Sequence, residues 1–384
     1  MAGKNPRQEM KNMRCWAEID LSALERNLNR IRSALPKGIK YISVVKADAY
    51  GHGIHPTCAR LMQTGVDLFA VANVKEAVDI REMGSGWPIL ILGPLLEEED
   101  PALLEYDLIP CLSDEKELER FSRLAKAKGK IIPVHLKIDT GMGRMGCWWE
   151  HAPSLLRKVS KARGIALQGI LTHFSTPADP QFTQEQKKRF LKIVHPLLSN
   201  YPDLLIHADN SSSLLSWDKK SPFNAVRIGL LQFGISPPRE SLLSNLQVEP
   251  VLSFHSRLAL IKDLPKGASL SYGREQILEK DSRIGIIAAG YGDAVPLHCG
   301  GKANGLINGV PYPLVGRVTM DQTLIDLTDC DSKNLLGSPV TLIGKQGGDE
   351  ITLSDLAKQS GTIEWELLCS ITKRVPRVYL TNRE

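Results

Sequence analysis

An amine, a guanidinium and an imidazole stand in this chain at places where they could do chemistry together. Lys46 is the most telling. It follows the apolar run Tyr41-Ile42-Ser43-Val44-Val45 and precedes Ala47-Asp48-Ala49-Tyr50-Gly51-His52-Gly53, so it lies where a buried strand ends in a turn and meets a pocket. Most lysines are solvated surface charges. A lysine withdrawn from water can instead act as an amine nucleophile or base, as Schiff-base chemistry requires. Arg144 sits in Gly141-Met142-Gly143-Arg144-Met145-Gly146, which matches G-x-G-x-x-G. That match is weak for a dinucleotide site, because it follows the fifth strand-like run rather than the first. Nor does an acidic residue stand about 20 positions on. The better reading is a flexible backbone around a permanent cation suited to an anionic oxygen.

Taken singly, other residues have ordinary readings. His173 reads as a satisfied core histidine, Met320 as packing, Tyr272 as a strand aromatic, and Asp139 and Asp321 as caps or turn residues. His52 and His55 have i,i+3 spacing but no evident third ligand, so no metal site is expected.

The elements that must hold these residues show in the alternation of the chain. Ser22-Ala23-Leu24-Glu25 has capping-box spacing, and Leu21, Leu24, Leu28, Ile31 and Leu35 mark one helical face. Apolar runs follow near 41–46, 67–72, 88–92, 108–112, 131–138, 167–173, 204–208 and 225–228, with amphipathic stretches such as 114–128 and 181–198 between several of them. Eight such units predict an α/β fold, a (β/α)8 TIM-type barrel over residues 15–245. A doubly wound open sheet is the alternative. The barrel demands that chemistry cluster at the carboxyl ends of its strands. Lys46, Lys137, Arg144, His173, Asn210-Ser211 and Arg227 all fall at or just beyond predicted strand ends.

Past about residue 245 the texture changes to short runs broken by glycine and proline. Asn308-Gly309 is a hairpin signal. Residues 246–384 are therefore expected to form a mostly β domain with a short helix near 353–371, the linker lying around Ser236-Pro237-Pro238.

Bulk properties narrow the functional classes. A chain of 384 residues has room for two domains. A formal charge of +5 without a dense basic tract gives nucleic-acid binding little support. Lys4, Arg7, Lys11 and Arg14 precede no apolar stretch, so neither a signal peptide nor a membrane anchor is expected. Seven scattered cysteines without a C-x-x-C suit a reduced cytoplasm.

The motifs together resemble one family, the pyridoxal-phosphate-dependent alanine racemases. The resemblance runs from Val44-Val45-Lys46-Ala47-Asp48-Ala49-Tyr50-Gly51-His52-Gly53 through Lys137-Ile138-Asp139-Thr140-Gly141-Met142-Gly143-Arg144, Thr172-His173-Phe174, Asn210-Ser211 and Val226-Arg227-Ile228-Gly229. It continues with Ser271-Tyr272-Gly273, Gly290-Tyr291-Gly292-Asp293, Gly316-Arg317-Val318-Thr319-Met320-Asp321-Gln322 and Arg374-Val375-Pro376-Arg377. It implies a barrel followed by a β domain, in agreement with the reading above. It also implies racemisation of L- and D-alanine, supplying D-alanine for peptidoglycan, in a cytoplasmic homodimer with shared active sites.

The resemblance further implies roles. Lys46 would carry pyridoxal 5'-phosphate and act as one acid/base, with Tyr272 of a partner subunit as the other. His173 would hydrogen-bond that tyrosine and pair with Arg227, which would face the pyridine nitrogen. Tyr50, Ser211 and the amides of Gly229 and Leu230 would hold the phosphate. Arg144 would meet the ring oxygen and the substrate carboxylate, oriented by a carbamylated Lys137. Met320 would offer its amide to that carboxylate, and Tyr291 would line the pocket. Two positions depart from the family pattern: Lys373 replaces a common tyrosine at the entrance, and Leu297 replaces a common arginine. They leave a serine or broad-specificity racemase open. A non-catalytic pyridoxal-phosphate carrier and a barrel decarboxylase are further rivals. The carrier lacks a second domain, and the decarboxylase would need a larger pocket.

Overall fold

A computed structural model describes residues 10–176, 179–210, 214, 222–237, 239, 241–332 and 334–381. The described residues divide into two compact units. One is Leu24–Ala49 with Ile54–Glu249; the other joins the stretch up to Ala23, Tyr50–Gly53 and the stretch from Pro250 on.

In chain order the first strands are β1 (Cys15–Asp20), β2 (Lys40–Val44), β3 (Leu68–Val71), β4 (Ile89–Ile91), β5 (Ile109–Leu112) and β6 (Ile132–Asp139). There follow β7 (Cys147–Trp148), β8 (Ile165–Leu171), β9 (Leu205–His207) and β10 (Ala225–Ile228). Eight of them form one parallel sheet in the order β10-β2-β3-β4-β5-β6-β8-β9. A parallel bridge from Asn210, just past β9, to Arg227 in β10 brings the two ends together. The sheet is the expected barrel, and its strands are the eight predicted runs. Their near-continuous apolar sequences follow from burial on both faces: Ile42, Phe69, Leu90, Cys111, Leu136, Ile170 and Val226 are all fully buried.

Local chemistry sets the helices between strands. Asp114 caps Glu115–Lys128 by accepting from the Glu117 amide, and Gly129 ends it at φ +62°. Pro180–Val194 is capped by Asp179 and passes into a 3-10 turn at His195–Leu197, shorter than the expected 181–198 because Pro196 cannot continue the ladder. The first helix, Leu21–Ala34, starts one residue before the expected cap at Ser22; the Asp20 carboxylate accepts from the Ala23 amide at 2.9 Å instead.

The second unit is built on β11 (Leu252–Leu264), β12 (Ser269–Leu270), β13 (Gln276–Ile277), β14 (Ser282–Ile287), β15 (Asn304–Ile307) and β16 (Val310–Val315). It ends with β17 (Thr323–Asp326), β18 (Pro339–Gln346), β19 (Asp349–Ile351) and β20 (Arg377–Leu380). The path β11-β14-β17-β16-β15-β18 closes on itself through a β18–β11 pairing. A small antiparallel barrel results, without free edges along that ring. Leu270, Leu278, Ile284 and Val315 form part of its core. The hairpin at Asn308-Gly309 forms as expected, both residues having positive φ. Cys15–Asp20, placed with the barrel in the 15–245 segment from sequence, instead pairs antiparallel with β11 and parallel with β20. Its short, mostly buried apolar sequence fits either sheet, and only its non-local partners decide. Among the described residues no helix is long and apolar enough to cross a membrane.

Candidate active site

In the larger unit the chemistry gathers at the carboxyl ends of the parallel strands. Lys46 lies two residues past β2, Lys137 is near the end of β6, His173 lies two past β8, and Arg227 is within β10. Gly229 and Leu230 follow β10 and open a 3-10 turn over Leu230–Phe233. Ser211 lies outside the described residues.

Arg227 is the best-fixed of these groups. It is 4% exposed. Its Nη1 donates to the His207 carbonyl at 3.0 Å and to His207 Nδ1 at 2.8 Å. Its Nη2 donates to the carbonyls of Thr172 at 2.9 Å and Ala208 at 2.7 Å, and faces His173 Nδ1 at 3.4 Å. Among the described residues Nε has no acceptor. Burial lowers Arg227 to about 10, so it keeps its charge at neutral pH.

This geometry settles two tautomers, because arginine only donates. Nδ1 of His207 must accept, so that ring carries its proton on Nε2. His207 Nε2 then donates to His135 Nδ1 at 3.0 Å, and His135 is likewise protonated on Nε2. Burial first, then the Arg227 charge, pulls both His135 and His173 down to about 3. The same causes bring His207 well below its ordinary value. All three are neutral imidazoles at physiological pH. A side chain at Gly169 would strike the His135 ring at 2.6 Å, so the bare strand there makes room for it.

His135 and His207 are absent from the sequence reading. The available signal was period-two alternation: His135 and Lys137 share a face of β6. Single histidines inside strands carry little weight on their own.

Lys137 is buried, at 7% exposure. Burial depresses its amine below the usual lysine range, with Cys111 the largest opposing influence. Arg144 lies on the exposed loop beyond β6. The Asp139 carboxylate organises that loop, accepting from the amides of Gly141, Met142 and Gly143 at 2.9 to 3.2 Å. Asp139 is thus the turn residue its ordinary reading predicted. The loop returns to pair β7 with β6.

The segment after Lys46 departs from a simple glycine turn. Ala47, Asp48, Ala49 and Tyr50 all have φ between +52° and +55°. For non-glycine residues that conformation costs roughly 1–2 kcal/mol each, and such strain collects at functional sites. Tyr50 itself is buried. His52 turns Nδ1 to the Tyr50 carbonyl at 2.9 Å. Among the described residues no three histidine, cysteine or acidic side chains are grouped to hold a metal ion.

In the β unit, Tyr272, Tyr291 and Met320 are exposed by 72%, 44% and 53%. Tyr272 is flanked by Ser271 and Gly273, both at positive φ, which turns its ring outward from the short β12–β13 ribbon. The Tyr291 and Met320 loops are bonded together: Tyr291 N donates to Thr319 O and Gly292 N to Met320 O. Arg374 reinforces both, reaching Asp293 with two bonds of 2.6 and 2.9 Å and Asp321 at 2.7 Å. The sequence reading quoted Arg374 only as part of a motif. Among the described residues the Met320 amide has no acceptor.

Comparison with known proteins matches both units. Residues 19–237 fit the family described as alanine racemase, N-terminal domain, and residues 251–379 fit alanine racemase, C-terminal domain. The alanine racemase of Halothermothrix orenii is 37% identical over 95% of this chain and 96% of its own. That of Prochlorococcus marinus is 36% identical over 98% and 97%. The solved alanine racemase of Clostridium difficile 630 has a TM-score of 0.88 at 31% identity, covering 97% of each chain. The structure from Bacillus anthracis with bound L-Ala-P has a TM-score of 0.86 at 32% identity, covering 96% and 95%. The two family matches, one to each part of the chain, place it in a class of amino-acid isomerases. Within that class, this chain belongs to the alanine racemase family, and it is an enzyme that racemises alanine.

Proposed function

We propose that the chain interconverts L- and D-alanine with pyridoxal 5'-phosphate by a two-base mechanism, Lys46 and the Tyr272 of a second copy serving opposite faces of the α-carbon. The observation that carries this reading is the fixed Arg227 with one uncommitted N–H and a neutral His173 beside it. The described donors fit the cofactor: an amine past a strand end, a guanidinium Nε–H for a ring-nitrogen lone pair, and turn amides at Gly229 and Leu230 for a phosphate; Tyr50 and Ser211, the latter outside the described residues, are expected to join them. When bound, pyridoxal 5'-phosphate would supply an electron sink for the pair left when the α-proton departs.

The chain's residues do the rest. Lys46 removes the proton on one face, and Tyr272 returns one on the other; the reverse direction exchanges the roles. His173, neutral, would donate from Nε2 to the phenolate that Tyr272 becomes. Arg227 would donate to the ring nitrogen without protonating it. Electron withdrawal would then stay limited, favouring proton return over side reactions. Arg144 and the Met320 amide hold the substrate carboxylate, and Tyr291 lines the pocket. The depressed Lys137 amine is suited to add CO2 and release a proton, and the resulting carbamate orients Arg144.

Exposure of Tyr272, Tyr291 and Met320 in one chain supports a homodimer in which a partner covers them. Seven free cysteines support the reduced cytoplasm, where D-alanine would enter peptidoglycan. Neither nucleic acid nor membrane figures among the proposed partners. Lys373 and Leu297 favour testing serine as well.

Incubation of purified protein with L-alanine and with L-serine in D2O tests the proposal. The expected result is the D enantiomer of alanine carrying solvent deuterium at the α-carbon. Imine absorbance without inversion would favour a carrier instead.

A further inference from the structure

We infer that Glu76 is a positioning residue that fixes the direction in which Lys46 leaves the barrel, an inference resting on Lys46 being the catalytic amine. The four residues after Lys46 form a left-handed turn, a conformation that non-glycine residues visit singly rather than in runs. Neighbouring structure must therefore hold it. At the far end, Asp48 Oδ1 accepts from the Ile54 amide at 2.7 Å. At the near end, Glu76 Oε1 accepts from the Ala47 amide at 2.7 Å, and Oε2 from the Ala72 amide at 2.8 Å. Ala72 follows β3, the neighbour of β2. One carboxylate thus ties two adjacent strand ends together at the peptide joining Lys46 to Ala47.

Glu117 separates this role from ordinary capping. Both glutamates are third in their helices, and each amide donates to the capping side chain, Asn73 or Asp114. Both accept from the amide preceding the cap, Ala72 or Ser113. Among the described residues Glu117 makes no bond to a neighbouring strand end. The second bond of Glu76 exceeds what its helix requires, and it falls on the residue next to Lys46. Glutamine has one acceptor oxygen and an NH2 that would face an amide donor, so it cannot hold both amides.

The test compares Glu76→Gln, Glu76→Asp and Glu117→Gln in the full chain with pyridoxal 5'-phosphate. Three quantities are read: racemisation kinetics, borohydride trapping on Lys46 and hydrogen exchange at the Ala47 amide. Glu76→Gln lowers kcat roughly tenfold to hundredfold with KM nearly unchanged, slows trapping and speeds Ala47 exchange. Glu76→Asp, charged but shorter, does so to a lesser degree. Glu117→Gln loses comparable thermal stability and keeps its activity. Wild-type kcat and trapping in either folded Glu76 variant overturn the inference. Absence of trapping on Lys46 in the wild-type protein overturns the catalytic lysine instead, so the two failures are distinguishable.

Discussion

Arg227 cannot swing: three backbone carbonyls hold its guanidinium, and that rigidity is what makes its remaining N–H a directed donor. In Arg227→Lys an ammonium cannot meet those carbonyls and His173 together. The variant should lose about 2 kcal/mol in urea titration, and its racemisation should slow by roughly a hundredfold or more. The neutral histidines give a second expectation. The unfolded chain protonates histidine from about pH 6.5 downward, whereas folded His135 and His173 resist protonation until about 3. Stability is full above the upper value and is lost as pH falls through that window, by about 1.4 kcal/mol per pH unit for each group. With His207 behaving alike, His135→Asn should remove about a third of the slope in denaturation midpoints measured between pH 6.5 and 5.

The elements show where local pattern suffices and where it does not. All eight barrel strands were legible because each is a short buried apolar run set apart by more polar sequence. The left-handed turn was not, since Ala47-Asp48-Ala49 reads as ordinary helix former and cap, and only Glu76 and Asp48 reveal its restraint. The expected helix near 353–371 is two helices, Leu353–Ser360 and Glu364–Ser370, divided by Gly361 at φ +71°. The turn depends on tight approach at its glycine end. A side chain on Gly51, at φ +77°, would lie 2.1 Å from the Leu368 carbonyl oxygen. Gly51→Ala should cost about 3 kcal/mol or more in chemical denaturation.

At the scale of the molecule, two units are interleaved in sequence, because β1 and Tyr50–Gly53 belong with the β unit although they precede most of the barrel. A linear reading draws one boundary and misses both. The site residues divide likewise: Lys46, Lys137, Arg144, His173 and Arg227 on one unit, Tyr272, Tyr291 and Met320 on the other. Motif order exposed both sets, and in the proposed reading they are brought together by a second chain that no single sequence displays. Sedimentation should give about twice the 42.4 kDa chain mass.

Complementation between two inactive chains tests that assembly most directly. Lys46→Ala and Tyr272→Phe are each expected to abolish racemisation, yet subunit exchange between them creates mixed dimers with one intact site. Equal mixing should restore about a quarter of wild-type activity. No recovery, in dimers shown by mass to have exchanged, would contradict a site built from two copies.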